Sequence, residues 1–231
     1  MPHEIELPSD LADALRRYFQ VYSPTLRLLS PLCYQAPVAI YKALKHLGIK
    51  PWGVLPSTPT RLAEVYFAFN ECQFTLRMPE WLLPEEILEE PEISEFEEGE
   101  EFSYIPLETG TCIEFYLRDE SYEYEYGSET YFLHGVTLTL TEDDRDSVIL
   151  YIDPGKLLFA FTFTGDRLVF HKVMPLYEGM LITGAEEKVG AVVELLKSYI
   201  NCCKDELIQA VNCATELFSK LLNPLAIYIL Y

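Results

Sequence analysis

Four histidines, six cysteines and a run of alternating tyrosines and glutamates are the side chains of this 231-residue sequence that could do chemistry. His134 stands on one predicted strand face with Phe132, Val136, Leu138 and Leu140, and His171 lies between Val169 and Val173 on another. Two imidazoles on one sheet could meet around a metal, or one could act as a general base against a carboxylate such as Glu114. No HExxH and no paired histidine spacing accompanies them, so the simpler expectation is a core histidine in each place, satisfied by one hydrogen bond. His3 falls in a terminal segment, and His46 in the last turn of a predicted helix, where a cation complements the dipole.

The cysteines point away from metal chemistry. Cys202 and Cys203 are adjacent on a predicted helix, so their side chains diverge by about 100°, which suits packing better than tetrahedral chelation. No CxxC occurs among Cys33, Cys72, Cys112, Cys202, Cys203 and Cys213, and six cysteines in 231 residues are too few for a disulfide scaffold. A reducing, intracellular compartment with inert buried thiols is the expectation, and the localisation it implies is cytoplasmic. The loop Glu142-Asp143-Asp144-Arg145-Asp146 lacks the order and the glycine of a calcium-binding EF-hand. No GxSxG elbow anchors a hydrolase triad, and neither GxGxxG nor GxxxxGK[ST] is present to cradle a phosphate. The sequence therefore assigns no catalytic, cofactor-binding or metal-binding residue, and no cofactor.

Recognition chemistry is better represented. Residues 78–130 hold 18 of the 37 acidic side chains and a single basic one, Arg118, so most of the net charge of −20 sits there. Glu95, Glu97, Glu98, Glu100 and Glu101 form the densest part, in a stretch broken by Pro84, Pro91 and Gly99 and expected to be a long solvated loop over 80–101. Ser121 to Tyr126 then alternates, so a strand there would put Tyr122, Tyr124 and Tyr126 on one face and Glu123 and Glu125 on the other. Phenols give rigid contact area with a polar tip, and an acidic field speeds encounter with a basic partner. Direct nucleic-acid binding is disfavoured, because phosphates need clustered Lys and Arg.

The elements that must position these residues follow from periodicity. Ser9 is placed to cap a helix carrying Leu11, Leu15, Tyr18, Phe19 and Tyr22, ended by Ser23-Pro24, and a second helix after Ala36 ends at Gly48. Residues 50–60 read as a connection; in 61–78, Leu62, Val65, Tyr66 and Phe69 fit a helix started by Thr58-Pro59, whereas Val65, Phe67 and Phe69 alternate as a strand, and the hairpin is the preferred reading. Thr111–Leu117, Tyr122–Tyr126, Thr130–Leu140, Val148–Ile152, Leu157–Thr164 and Arg167–Val173 alternate as strands. Asp153-Pro154-Gly155-Lys156 suits a type II turn and Gly165-Asp166 a two-residue hairpin loop, so the last three strands form a meander. Thr183-Gly184-Ala185-Glu186 matches a capping box, after which residues 184–222 carry an amphipathic helix or helix pair, broken near Lys204-Asp205 and stopped by Asn223-Pro224. The apolar tail from Leu225 must pack, add a strand or meet another subunit.

The expected fold is one α+β domain over residues 1–231: N-terminal helices in 1–50, a mainly antiparallel β-meander sheet in 61–180 and a long C-terminal amphipathic helix packed on the sheet. No run is long enough to span a membrane, and the first residues carry no secretory signal. The function expected is that of a non-enzymatic binding protein, of the inhibitor, immunity or adaptor kind, that engages a basic protein partner through its acidic, tyrosine-rich surface. The alternatives are an enzyme with a site centred on His134 and His171, with or without a metal, and a structural subunit that pairs with a second copy through the C-terminal helix or tail.

Overall fold

The computed structural model describes residues 3–56, 62–70, 72–83, 102–104, 107–108, 112–113, 115–118, 121–140, 145–176 and 184–230. In chain order the elements are β1 (Glu4–Glu6), α1 (Ser9–Leu29), α2 (Ala36–His46), β2 (Pro51–Pro56), β3 (Leu62–Phe69), β4 (Cys72–Pro79), β5 (Phe102–Tyr104), β6 (Leu107–Glu108), β7 (Cys112–Ile113), β8 (Phe115–Arg118), β9 (Tyr122–Tyr126), β10 (Glu129–Leu140), β11 (Asp146–Asp153), β12 (Leu157–Phe163), β13 (Arg167–Pro175) and α3 (Val189–Leu230), with 3-10 turns at Ser30–Gln35, Glu80–Leu82 and Ala185–Lys188. This is the α+β architecture expected. The chain divides into two compact units, Met1–Phe19 with Tyr116–Val211, and Gln20–Phe115 with Asn212–Tyr231.

The first unit is built on an antiparallel sheet in the order β1-β13-β12-β11-β10, with β9 paired to β10 on the side away from β11. Alternation decides its faces. Tyr131, Leu133, Leu138, Leu150, Phe159 and Phe163 all point to the side covered by helix and are buried. Phe159 and Phe161 are wholly buried, and each such ring contributes about 1.5–3 kcal/mol of transfer free energy. The start of α1 seals one part of this face: the Tyr18 hydroxyl donates to the Leu138 carbonyl at 3.2 Å, and Phe19 stacks on Phe163 with ring centres 5.7 Å apart. The Lys204 ammonium donates to Asp10 at 2.6 Å, tying α3 to the first turn of α1 and holding the Asp10 carboxyl below its usual range. Gly165-Asp166 makes the expected two-residue loop, with Gly165 at φ +103 and the Thr164 amide donating to Arg167 O.

The second unit contains α2, whose end satisfies its carbonyls as a glycine-terminated helix should. Gly48 adopts φ +75, its amide donates to Lys45 O, and the Ile49 amide donates to Leu44 O. The hairpin expected over 61–78 is present as β3 and β4, with β2 added to give the order β2-β3-β4. Phe67 stacks on its cross-strand partner Phe74, and Trp52 on Tyr66. The end of α3 belongs to this unit, where Tyr22 meets Phe218 edge to face and a disulfide joins Cys72 of β4 to Cys213.

Several sequence expectations are corrected. Residues 51–56 form β2: its prolines lie at the two ends of a strand at the edge of its sheet, where a missing amide is tolerated. Neither Pro24 nor Pro224 ends its helix. The buried stripe Tyr18, Tyr22, Leu26, Leu29 carries α1 past Pro24, and the Thr25 hydroxyl donates to Val21 O. Likewise Leu217, Leu221 and Leu225 continue the stripe of α3, so the tail is helix, with Ile227 and Tyr228 left exposed. Gly184, at φ +78, occupies the cap position of the 3-10 turn; Thr183, whose hydroxyl the expected capping box needs, lies outside the described residues. In the turn after Asp153 the Pro154 peptide is cis, and Gly155 and Lys156 both take positive φ. The strand expected over 111–117 is split into β7 and β8. Finally, α3 leaves helical geometry at Cys203, close to the expected break, and there Cys202 and Cys203 are bonded to each other and do not diverge.

Among the described residues, no helix is long and apolar enough to cross a membrane.

Candidate functional site

Two features of the first unit place chemistry-bearing side chains, and they occupy opposite faces of one β-hairpin. Gly127-Ser128 joins β9 to β10, with Gly127 at φ +65 and Tyr126 paired with Glu129. Tyrosines 122, 124 and 126 share the face of Tyr131 and Leu133. The Tyr122 hydroxyl lies 2.7 Å from Ser198 Oγ, its ring meets Tyr199 edge to face, and the Tyr126 hydroxyl lies 4.0 Å from where a side chain at Gly190 would begin. The four-residue step from Tyr122 to Tyr126 covers about 13 Å of strand, and the eight-residue step from Ser198 to Gly190 about 12 Å of helix. The phenols therefore line the seam between β9 and α3, Tyr122 and Tyr124 half-buried and Tyr126 46% exposed. Glu123 and Glu125 point the other way and are exposed. Glu95, Glu97, Glu98, Glu100 and Glu101 lie outside the described residues.

The outer face of the same hairpin holds His134. A bulge between Leu133 and Gly135 makes it the extra residue of β10, so it faces outward with Phe132 while Val136, Leu138 and Leu140 turn to the core. The expectation that all five share a face is corrected by that one-residue slip. His134 Nε2 lies 3.0 Å from Asp153 Oδ2, and Asp153 Oδ1 accepts the Lys156 amide at 3.0 Å. An ionised carboxylate only accepts, so in this bond Nε2 is the donor. Phe132 and Tyr151 pack beside the imidazole, with ring centres 6.3 and 5.1 Å away. Ser121, Phe132, His134, Asp153, Pro154, Gly155 and Lys156 line an open concavity of about 690 Å³. The His134 and Asp153 side chains are 33% and 29% exposed, open enough to meet a ligand and covered enough to hold a fixed pose.

His171 does not join them. It lies on β13, three strands from β10, a separation of about 14 Å at the usual strand spacing. A metal whose ligand bonds are about 2.0–2.2 Å cannot be shared across that gap. Among the described residues, no group of three or more His, Cys, Asp or Glu side chains converges on a metal position. Glu114 and the acidic loop residues Glu142, Asp143 and Asp144 lie outside the described residues.

Sequence reasoning missed Asp153 as the partner of His134 and gave Ser121 no role. The second could have been found, since a two-residue turn at Gly127-Ser128 fixes which residues of β9 and β10 face each other. The first could not, because the bulge that brings His134 to Asp153 leaves no mark in periodicity. Compared with known proteins, the chain matches no family model, no curated protein and no solved structure.

Proposed function

We propose that the chain is a binding protein of the inhibitor, immunity or adaptor kind, which engages a basic protein partner through the surface around β9. The observation that carries this reading is the outward row of exposed carboxylates on β9, Glu123 and Glu125, beside the partly exposed Tyr126 and within the segment that holds most of the net charge. Two carboxylates two residues apart on a strand stand about 6.6 Å apart, so their fields add. Because the phenols on the opposite face hold β9 against α3, the carboxylates project from a fixed strand. A basic surface meeting them gains encounter rate from the field, and salt screens that gain.

The test compares the intact chain, the E123K/E125K variant and a chain with residues 85–101 replaced by a neutral linker as baits at 50 mM and 500 mM salt. A basic protein retained by the intact chain at low salt, eluted at high salt and lost from either altered bait is expected. Equal retention by all three baits removes the acidic surface from the account.

A second reading is favoured by a separate observation, the hydrogen bond that orients His134 on Asp153 in an open concavity. On that reading the chain is an enzyme whose site centres on His134 alone, the imidazole exchanging a proton with a bound substrate.

A further inference from the structure

We infer that Cys202 and Cys203 form a reversible thiol–disulfide site on α3, opened and closed by exchange with low-molecular-weight thiols of the glutathione class. Closed, the pair breaks the helix at Cys203; open, it lets helical backbone run through.

The bond joins neighbours in the chain, and that limits what it can be for. A disulfide stabilises mainly through the loop it closes in the unfolded chain, and no residue lies between Cys202 and Cys203. The bridge from Cys72 to Cys213 spans 141 positions and has that effect, whereas the one in α3 has almost none. It also opposes the helix that carries it. Adjacent side chains in helical backbone diverge by about 100°, so neighbouring sulfurs meet only where the backbone departs from the helix. Cys203 makes that departure, at φ −120 and ψ 22. What remains for the bond is its chemistry, and access permits it: Cys202 is exposed and Cys203 half-buried, whereas Cys213 of the other bridge is buried. Exchange requires a thiolate to reach a sulfur, so the exposed disulfide is the labile one.

The site stands between two tethers of the first unit. Just before it, Ser198 and Tyr199 meet Tyr122 of β9, with 2.7 Å between the Tyr122 hydroxyl and Ser198 Oγ and 5.4 Å between the ring centres. Just after it, Lys204 donates to Asp10 in the first turn of α1 at 2.6 Å. The backbone change at Cys203 therefore falls between turns of α3 held by different elements, and opening the bond alters how the helix runs from β9 to α1.

The exchange balances in two steps. The thiolate of a small thiol attacks the Cys202 sulfur, the more accessible of the two, and the bond to Cys203 breaks; Cys203 leaves as a thiolate and takes up a proton. A second small thiolate attacks the small-thiol sulfur of the mixed disulfide, which gives a small symmetric disulfide and releases Cys202, protonated in turn. The pair gains two electrons that two small thiols lose, and the two protons are those the small thiols gave up. The small disulfide drives the reverse.

The experiment equilibrates the full chain in glutathione buffers from wholly reduced to wholly oxidised, traps thiols with N-ethylmaleimide and maps the label by mass spectrometry. Cys202 and Cys203 are expected to gain and lose label together, as a two-electron step, and to open at a glutathione poise that leaves Cys72 and Cys213 joined. After circular dichroism shows the variants to be folded, Cys202 in C203S is expected to take up glutathione as a mixed disulfide roughly 10-fold faster than Cys203 does in C202S. Amide hydrogen exchange over residues 200–206 is expected to slow in the open form, because an unbroken helix protects its amides, and to lose its response to the poise in C202S/C203S. A pair that never closes in oxidised glutathione, never opens in reduced glutathione, or carries one glutathione on each cysteine overturns the site. Amide exchange that is equal in the two forms overturns the break in α3 as its consequence.

Discussion

Tyr131 is the side chain of the core whose ionisation the structure controls most visibly. It is buried on β10, and its hydroxyl donates to Glu129 at 2.7 Å. Burial first, then the hydrogen bond and charge of Glu129, push its pKa from 10.0 up to about 12. The unfolded chain therefore loses this proton before the folded one, so the stabilisation is complete below pH 10 and is lost as the pH rises through about 12. In an alkaline titration followed at 295 nm, Tyr131 is expected to ionise late, near pH 12, and Tyr131→Phe removes that late step. A late step that survives in Tyr131→Phe assigns it to another ring. The same residue marks what the sequence made legible: its pairing with Tyr124 follows from the turn at Gly127-Ser128. The bond from His134 to Asp153 needed the bulge at Leu133/Gly135, a slip that no alternation of residue types announces.

Elements were readable wherever short-range chemistry agreed with packing. β12 and β13 alternate cleanly and are joined by Gly165-Asp166, whose glycine takes the positive φ that a tight hairpin requires. α2 shows its proline near the start and its glycine just past the end, and the structure uses both. Elements were misread where packing overrode a local breaker. Pro24 and Pro224 each remove one amide from a helix, yet buried residues on either side hold the stripe together. The disulfide between Cys72 and Cys213 belongs to the same class, because 141 residues separate the two and only the fold brings β4 and α3 together. Its chain-entropy contribution is of order 2–4 kcal/mol, so C72S/C213S is expected to melt several degrees below the parent chain under oxidising conditions. With dithiothreitol present the two should melt together. A parent chain whose melting is indifferent to dithiothreitol, and equal to that of the variant, would remove the bridge from the stability account.

On the scale of the whole molecule, each compact unit is assembled from two separate stretches of chain, so the backbone passes from one unit to the other after Phe19, after Phe115 and after Val211. A protease site inserted between Glu97 and Glu98 would cut the second unit's first stretch, yet Cys72 and Cys213 lie on opposite sides of the cut. After cleavage the chain is expected to run as one band on a non-reducing gel and as two on a reducing gel, and to elute as a single species under native conditions. Dissociation of the fragments without a reductant would contradict the bridge. The same connectivity sets an order of synthesis. Neither unit has all of its residues until α3 has been made at least as far as Val211, since α3 supplies part of the last stretch of each. β10 to β13 are translated before α3, and for that interval the nascent sheet carries its apolar face with no helix from α3 upon it. A chain shortened before Val189 therefore lacks a stretch that both units require, and would be born without the means to finish either.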